Sequence, residues 1–170
     1  GDVIAVIEHE DLLARVARFK ADLRAEEARL MKTRQEGPLK INKARAELEE
    51  LQVQRSLADK MLERNTELNK KGIVSITEVE ETEERVKVLK ARIKLAEEEL
   101  KLTESQLDND VRLQEAMVEK AKANLQEEVT QLSYSTVTAP IDGIVAFIST
   151  QEGETVVASL NAPTFVTLID

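Results

Sequence analysis

The sequence contains no cysteine, no tryptophan and a single histidine, His9. The first absence removes disulfides, thiolate metal sites and a cysteine nucleophile. It leaves the compartment open, because oxidising and reducing spaces both tolerate a cysteine-free chain. One histidine excludes a multi-histidine metal site, and a Ser–His catalytic arrangement would have to run through His9 itself. Only Phe19, Tyr134, Phe147 and Phe165 are aromatic, too few for a platform on which nucleic-acid bases stack. The net charge of −9 argues against binding phosphate backbones, so nucleic acid is not an expected partner. No apolar run approaches about 18 residues, so no segment reads as a membrane-spanning helix, and no signal peptide is visible. The 170 residues suit about one domain. The chain opens in strand-like register at Gly1-Asp2-Val3-Ile4 and is expected to be an excised piece of a longer protein, its targeting segment lying upstream.

Glycine and proline are scarce and unevenly placed. Residues 39–71 and 73–139 hold neither, while the stretch from Ser133 to Asp170 holds two of the three prolines, two of the five glycines and three of the four aromatics. All 24 Lys and Arg lie between Arg15 and Lys122. The middle therefore reads as long helix with one break at Gly72, and the tail as short strands with turns.

The helical stretch carries a heptad pattern. Beyond Gly72 the a/d positions run Val79, Thr82, Val86, Leu89, Ile93, Ala96, Leu100, Thr103 and Leu107, then slip once and continue as Val111, Gln114, Val118, Ala121, Leu125, Glu128 and Leu132. Before it they run Val16, Phe19, Leu23, Glu26, Leu30 and Thr33, pass through Gly37 to Ile41, and continue as Ala44, Leu48, Leu51, Arg55, Ala58 and Leu62. Each arm has one stutter, a pair of four-residue steps that relaxes a left-handed supercoil. One runs 33, 37, 41 and the other 103, 107, 111. Reflection about residue 72 converts the first set into the second. Independent helices have no reason to match in this way. Helices folded back on each other do, because both must change phase at the same height. The pattern predicts an antiparallel two-helix coiled coil with its tip near 70–76. Each arm of about 55–60 residues, at about 1.5 Å per residue, would extend roughly 80–90 Å. Gly37-Pro38 is the weak point of the first arm. A kink is expected there, a break into two helices being the alternative.

Helix-end chemistry agrees with a turn at this place. Gly72 suits the left-handed position that ends a helix, and Lys70 and Lys71 fall in its last turn, at the negative end of the dipole. Ser75-Ile76-Thr77-Glu78 reads as a capping box, with Thr77 to Glu80 as a second frame. Glu78, Glu80, Glu81, Glu83 and Glu84 crowd the positive end of the second helix. Catalysis fits poorly. Paired acids such as Glu49-Glu50 and Glu97-Glu98-Glu99 lie on solvated faces without a pocket to shift a pKa. His9 reads as a junction residue where a strand becomes a helix. No catalytic residue, metal site or cofactor is assigned, and no enzymatic activity is expected.

The two ends read as halves of one β-domain. Gly1 to Glu8, Tyr134 to Ala139, Ile144 to Ser149, Thr155 to Ala158 and Phe165 to Ile169 have strand character. Turns fall at Ala139-Pro140-Ile141-Asp142-Gly143 and Gln151-Glu152-Gly153-Glu154. The expected fold is α+β: residues 1–8 plus 133–170 form a small β-domain, and residues 9–132 form a helical hairpin inserted between its halves.

These residues carry a resemblance. The opening Gly1-Asp2-Val3-Ile4-Ala5-Val6-Ile7 resembles the first half of the lipoyl-like domain (a barrel-sandwich hybrid) of HlyD-type membrane fusion proteins, the periplasmic adaptors of tripartite exporters. The stretch Leu132-Ser133-Tyr134-Ser135-Thr136-Val137-Thr138-Ala139-Pro140-Ile141-Asp142-Gly143-Ile144-Val145 resembles the second half. Glu152-Gly153-Glu154-Thr155-Val156 and Ala162-Pro163-Thr164-Phe165-Val166-Thr167-Leu168 are most similar to the MacA-like macrolide-exporter branch, which serves ABC-type pumps. Arg64, Leu68 and Ser75 stand at the Arg-x3-Leu-x6-Ser spacing with which these adaptors dock on the outer-membrane channel. Thr150-Gln151-Glu152-Gly153-Glu154-Thr155 resembles a loop that lines a gate against backflow.

The resemblance implies a non-catalytic adaptor in the periplasm, held to the inner membrane through a segment absent from this chain. Its hairpin tip, with Arg64, Leu68, Gly72 and Ser75, would meet a TolC-like channel. Domains outside this chain would contact an inner-membrane pump, of ABC type by the branch matched, and the subunits would form a hexameric ring. The gate would fall at Gln151 or Glu152, where a ring of acids would repel itself unless protonated or bridged by cations. Two rival readings remain. One is a coiled-coil scaffold with no transport role, for which Arg64, Leu68 and Ser75 are ordinary surface, packing and cap residues. The other is a lipoyl or biotinyl carrier, which needs a modifiable lysine on a β-turn; the tail has no lysine.

Overall fold

The computed structural model describes residues 1–155 and 164–169. The elements in chain order are β1 (Val3–Val6), α1 (Glu10–Lys70), α2 (Ile76–Ser133), β2 (Thr136–Thr138), β3 (Ile144–Ile148) and β4 (Val166–Ile169). By packing, the chain divides into two units whose borders fall inside the helices. One comprises Gly1–Ala25 with Glu119–Asp170, the other Glu26–Val118.

The unit Glu26–Val118 is the hairpin proper. Every a/d position read from the sequence in both arms is buried or half-buried. Ala58, Val86, Leu89 and Ile93 are the most enclosed apolar residues. Ala58, Val86 and Leu89 form one cluster, with Leu51 and Leu62 packed against it. Two helices alone enclose only a narrow seam, so the remaining seam residues stay half-exposed. Polar contacts fix the register. The Arg34 guanidinium donates to Glu115 at 2.6 Å, and Arg45 lies 3.5 Å from Glu104. The Asn65 amide donates to the Thr82 hydroxyl at 3.0 Å.

α1 runs through Gly37-Pro38 as a single helix, so the alternative of two shorter helices does not hold. A helix of this length loses one hydrogen bond to the proline while seam contacts on both sides hold the turns that flank it. Gly37 itself is buried. A Cβ there would lie 2.0 Å from Leu107 Cδ1 and 2.9 Å from Leu107 Cγ, so the leucine occupies the space that the missing side chain leaves. These two residues are the central positions of the two stutters, brought face to face as the mirror pattern requires.

The unit Gly1–Ala25 with Glu119–Asp170 pairs its β-segments antiparallel. β1 joins β2 with Val3 opposite Thr138, Ala5 opposite Val137 and Val6 opposite Thr136. β3 joins β4 with Ile144 opposite Ile169 and Ile148 opposite Val166. The chain ends on either side of the hairpin therefore meet, and the Ile7 amide extends the first pairing by donating to the Ser135 carbonyl at 2.8 Å. β1 is shorter than the expected Gly1–Glu8 because its partner is short: α2 continues to Ser133 and Ser135 closes a turn on Leu132, leaving Thr136–Thr138 as the paired strand with one backbone bond beyond it at either end. Buried apolar side chains among the described residues lie in the helical seam. The strands contribute half-buried Ile4, Ala5, Val137, Val166 and Leu168, and β3 is exposed along its length. Thr155 lies outside a strand, and the rest of the strand expected at Thr155–Ala158 falls outside the described residues. In the helical part of this unit the Arg15 guanidinium donates to Glu128 at 2.7 Å, and Glu128 is only 5% exposed.

The fit of Leu107 over Gly37 yields a signed prediction. Gly37→Ala destabilises the wild-type chain, because overpacking costs about 1–3 kcal/mol against a helix-propensity gain of about 1 kcal/mol. In a Leu107→Ala background the same substitution stabilises by about 1 kcal/mol. Urea unfolding of the four proteins of this cycle measures the coupling.

Candidate functional site

The tip of the hairpin is built by a helix stop and a helix start with five residues between them. α1 ends on a Schellman motif: the Gly72 amide donates to the Asn69 carbonyl at 2.8 Å and the Ile73 amide to the Leu68 carbonyl at 3.0 Å. The motif needs a left-handed residue, and Gly72 supplies it with φ of +72°. The Asn69 amide group donates to the Val74 carbonyl at 2.8 Å and holds the far side of the turn. α2 then starts at Ile76 with Ser75 as its N-cap, whose hydroxyl accepts from the Glu78 amide at 3.3 Å. The first capping frame is the one used. Lys70 stands in the last turn of α1 and Glu78 in the first turn of α2, each at the dipole end that favours its charge.

The candidate docking residues are brought to this one end. Arg64 and Ser75 are exposed, Leu68 is half-buried, and Gly72 is exposed with open space where a Cβ would be. Leu68 also gives its carbonyl to the Schellman motif, and Ser75 its hydroxyl to the cap, so both shape the turn. Two residues escaped the sequence reading: Ile73, 67% exposed, and Ile76, 59% exposed. Ile73 sits one residue past the capping glycine, where an apolar residue is usual, and Ile76 is the first residue of α2. That rule signals Ile73 from sequence, but nothing short of the folded turn shows that both side chains are left exposed. Farther along α2 the exposed Lys87 ammonium is raised above its ordinary pKa by hydrogen bonds to Glu84 and then Glu83.

The second candidate is the loop after β3. Residues Gln151–Glu154 form a turn in which the Glu154 amide donates to the Gln151 carbonyl at 3.2 Å, and the Gln151 amide donates to the Glu154 carboxylate at 3.1 Å. Gly153 at the third position has φ of +81°, as a type II turn demands. Gln151 and Glu152 are exposed and line, with β1 residues Ile4 to Val6, an open cavity of about 840 Å³. His9 precedes α1, with its Nδ1 2.9 Å from the Ile7 carbonyl oxygen and its own carbonyl accepting from the Leu13 amide. It is a junction residue, as expected. Among the described residues no group of three His, Asp or Glu could hold a metal, and no helix is long and apolar enough to cross a membrane.

No protein-family model matches the chain. Among curated proteins, the macrolide export protein MacA of Yersinia pestis is 43% identical over 56 residues. MacA of Escherichia coli O157:H7 and of Shigella flexneri are each 38% identical over the same length. The chain is MacA-like over this stretch. The match spans 33% of this chain and 15% of the Yersinia pestis protein. A solved structure of the periplasmic adaptor protein EmrA aligns with 99% of this chain and 66% of its own, at 17% identity and a TM-score of 0.37. The MacA-like resemblance stands on the sequence match, and the hairpin and paired strands stand on the geometry above.

The tip geometry separates residues that build the turn from residues that are merely presented. Gly72→Ala should cost about 1–2 kcal/mol through its left-handed φ, and Ser75→Ala about 1 kcal/mol through the lost cap. Arg64→Ala and Ile73→Ser should stay within about 0.5 kcal/mol of the parent chain. Thermal unfolding followed by circular dichroism checks all four.

Proposed function

We propose that the chain is part of a periplasmic adaptor that bridges an inner-membrane efflux pump and a TolC-like outer-membrane channel, with the hairpin tip docking on the channel. The observation that carries this reading is the 43% match to a macrolide export protein. Supporting it is the order of the parts: strands before and after the hairpin pair with each other, and the hairpin ends in a tight turn that presents Arg64 and Ser75. Because the matched stretch covers a small part of MacA, the pump, cargo and assembly are inferred for the whole protein of which this chain would be a segment. In that protein residues 1–8 with 133–170 would form the lipoyl-like domain and 9–132 the hairpin. An anchor outside this chain would hold it to the inner membrane. By the MacA-like branch the pump would be of ABC type and the subunits would form a hexamer.

The role is mechanical: binding, sealing and bridging, with no covalent bond made or broken. At the tip, Arg64 offers a charge-assisted donor fork to a carboxylate or backbone carbonyl of the channel, Leu68 an apolar contact and Ser75 a hydroxyl. The turn at Gln151 and Glu152, repeated around a ring, would form a constriction lined by amides and acids.

Export tests the proposal. In the full-length protein, Arg64→Asp or Leu68→Ser should abolish export and co-purification with the channel, while circular dichroism shows unchanged helix content. A coiled-coil scaffold without a transport role would tolerate both substitutions. Mass spectrometry that found lipoate or biotin attached to the chain would favour a carrier instead.

A further inference from the structure

Gly37-Pro38 weakens α1 twice in succession. Pro38 brings no N–H to the Arg34 carbonyl, and a helix-interior glycine is the poorest helix former after proline. The glycine has a packing reason, since Leu107 fills the space of its missing side chain. Pro38 has none, for it is exposed. The weak step therefore coincides with a close seat of one arm on the other. It also coincides with the stutter in both helices, where the seam changes phase and the supercoil relaxes. Threonines stand in the seam on both sides: Thr33 and Thr103 flank the Gly37–Leu107 layer, beside a cavity of about 130 Å³ bounded also by Glu36 and Lys40. On one side of this layer Arg34 is bonded to Glu115 at 2.6 Å, and on the other Arg45 is paired with Glu104 at 3.5 Å. α2 has no glycine or proline.

We propose that the Gly37–Leu107 layer is a built-in flexure point of the hairpin. α1 opens at the Arg34 carbonyl, on an exposed side where water takes its free lone pairs. The two ion pairs keep the arms together above and below, so α2 bends with α1 about Leu107 rather than separating from it. The inference rests on packing within the unit Glu26–Val118 and not on what the tip docks on.

Hydrogen–deuterium exchange of the 170-residue chain tests it. Amides in 33–42 should exchange about tenfold faster than those in 48–58, by local opening. Those in 103–111 of the intact second helix should exchange faster than those in 86–96. Pro38→Ala, which restores the missing donor at an exposed site, should slow both fast windows and leave the other two unchanged. A slowing confined to α1 would mean that the proline only loosens its own helix. A uniform slowing everywhere would mean a general gain in stability. Either result, or no fast window in the parent chain, overturns the proposal.

Discussion

Two antiparallel helices that share one apolar seam must stay in phase along its whole length. A helix of 3.6 residues per turn drifts against a heptad repeat, so wherever one arm corrects its phase the other must correct it at the same height. Both arms do so once, and the corrections meet as Gly37 against Leu107. The removal of a side chain on one arm and the insertion of one on the other are a single event. The register that results sets the ion pairs Arg34–Glu115 and Arg45–Glu104 and the Asn65–Thr82 hydrogen bond. It also fixes where the chain must turn.

That turn is economical in residues. Schellman motif and N-cap share the five positions from Lys71 to Ser75, and Leu68 and Ser75 each serve the backbone while also standing among the residues presented. Residues that hold a turn are constrained by geometry; the side chains of Arg64, Ile73 and Ile76 take no part in it and can be tuned to a partner at little cost in stability. In the unit Gly1–Ala25 with Glu119–Asp170, β1 and β2 pair across more than a hundred residues of intervening chain. Such a contact is entropically expensive to close through a flexible loop, and folding the hairpin removes that cost by returning both ends.

The seam was legible in the sequence to the residue, because burial on a narrow helical face leaves a strict spacing and the two stutters could be compared. The helix stop at Gly72 and the cap at Ser75 were legible for the same kind of reason: few residue types satisfy them. The fate of Pro38 was not, since its local cost is set against seam contacts that no local rule contains. β1 and β2 were read too long, because a run such as Gly1–Glu8 shows strand character without saying how much partner is available. Ile73 and Ile76 were not singled out, because exposure of an apolar residue beside a helix cap is set by the folded turn. The buried Ser135, which closes α2 on Leu132 and passes its carbonyl to Ile7, carries no sequence signal that distinguishes it from a loop serine.

The mirrored register can be tested directly because the chain has no cysteine of its own. A doubly substituted chain, Ala58→Cys with Val86→Cys, should close a disulfide within one chain on mild oxidation. The control pair Ala44→Cys with Val86→Cys, two heptads out of step, should not. Rapid intramolecular closure of the control, or oxidation of the first pair only into dimers, would contradict the antiparallel register from which the tip, the joined strands and the flexure point all follow.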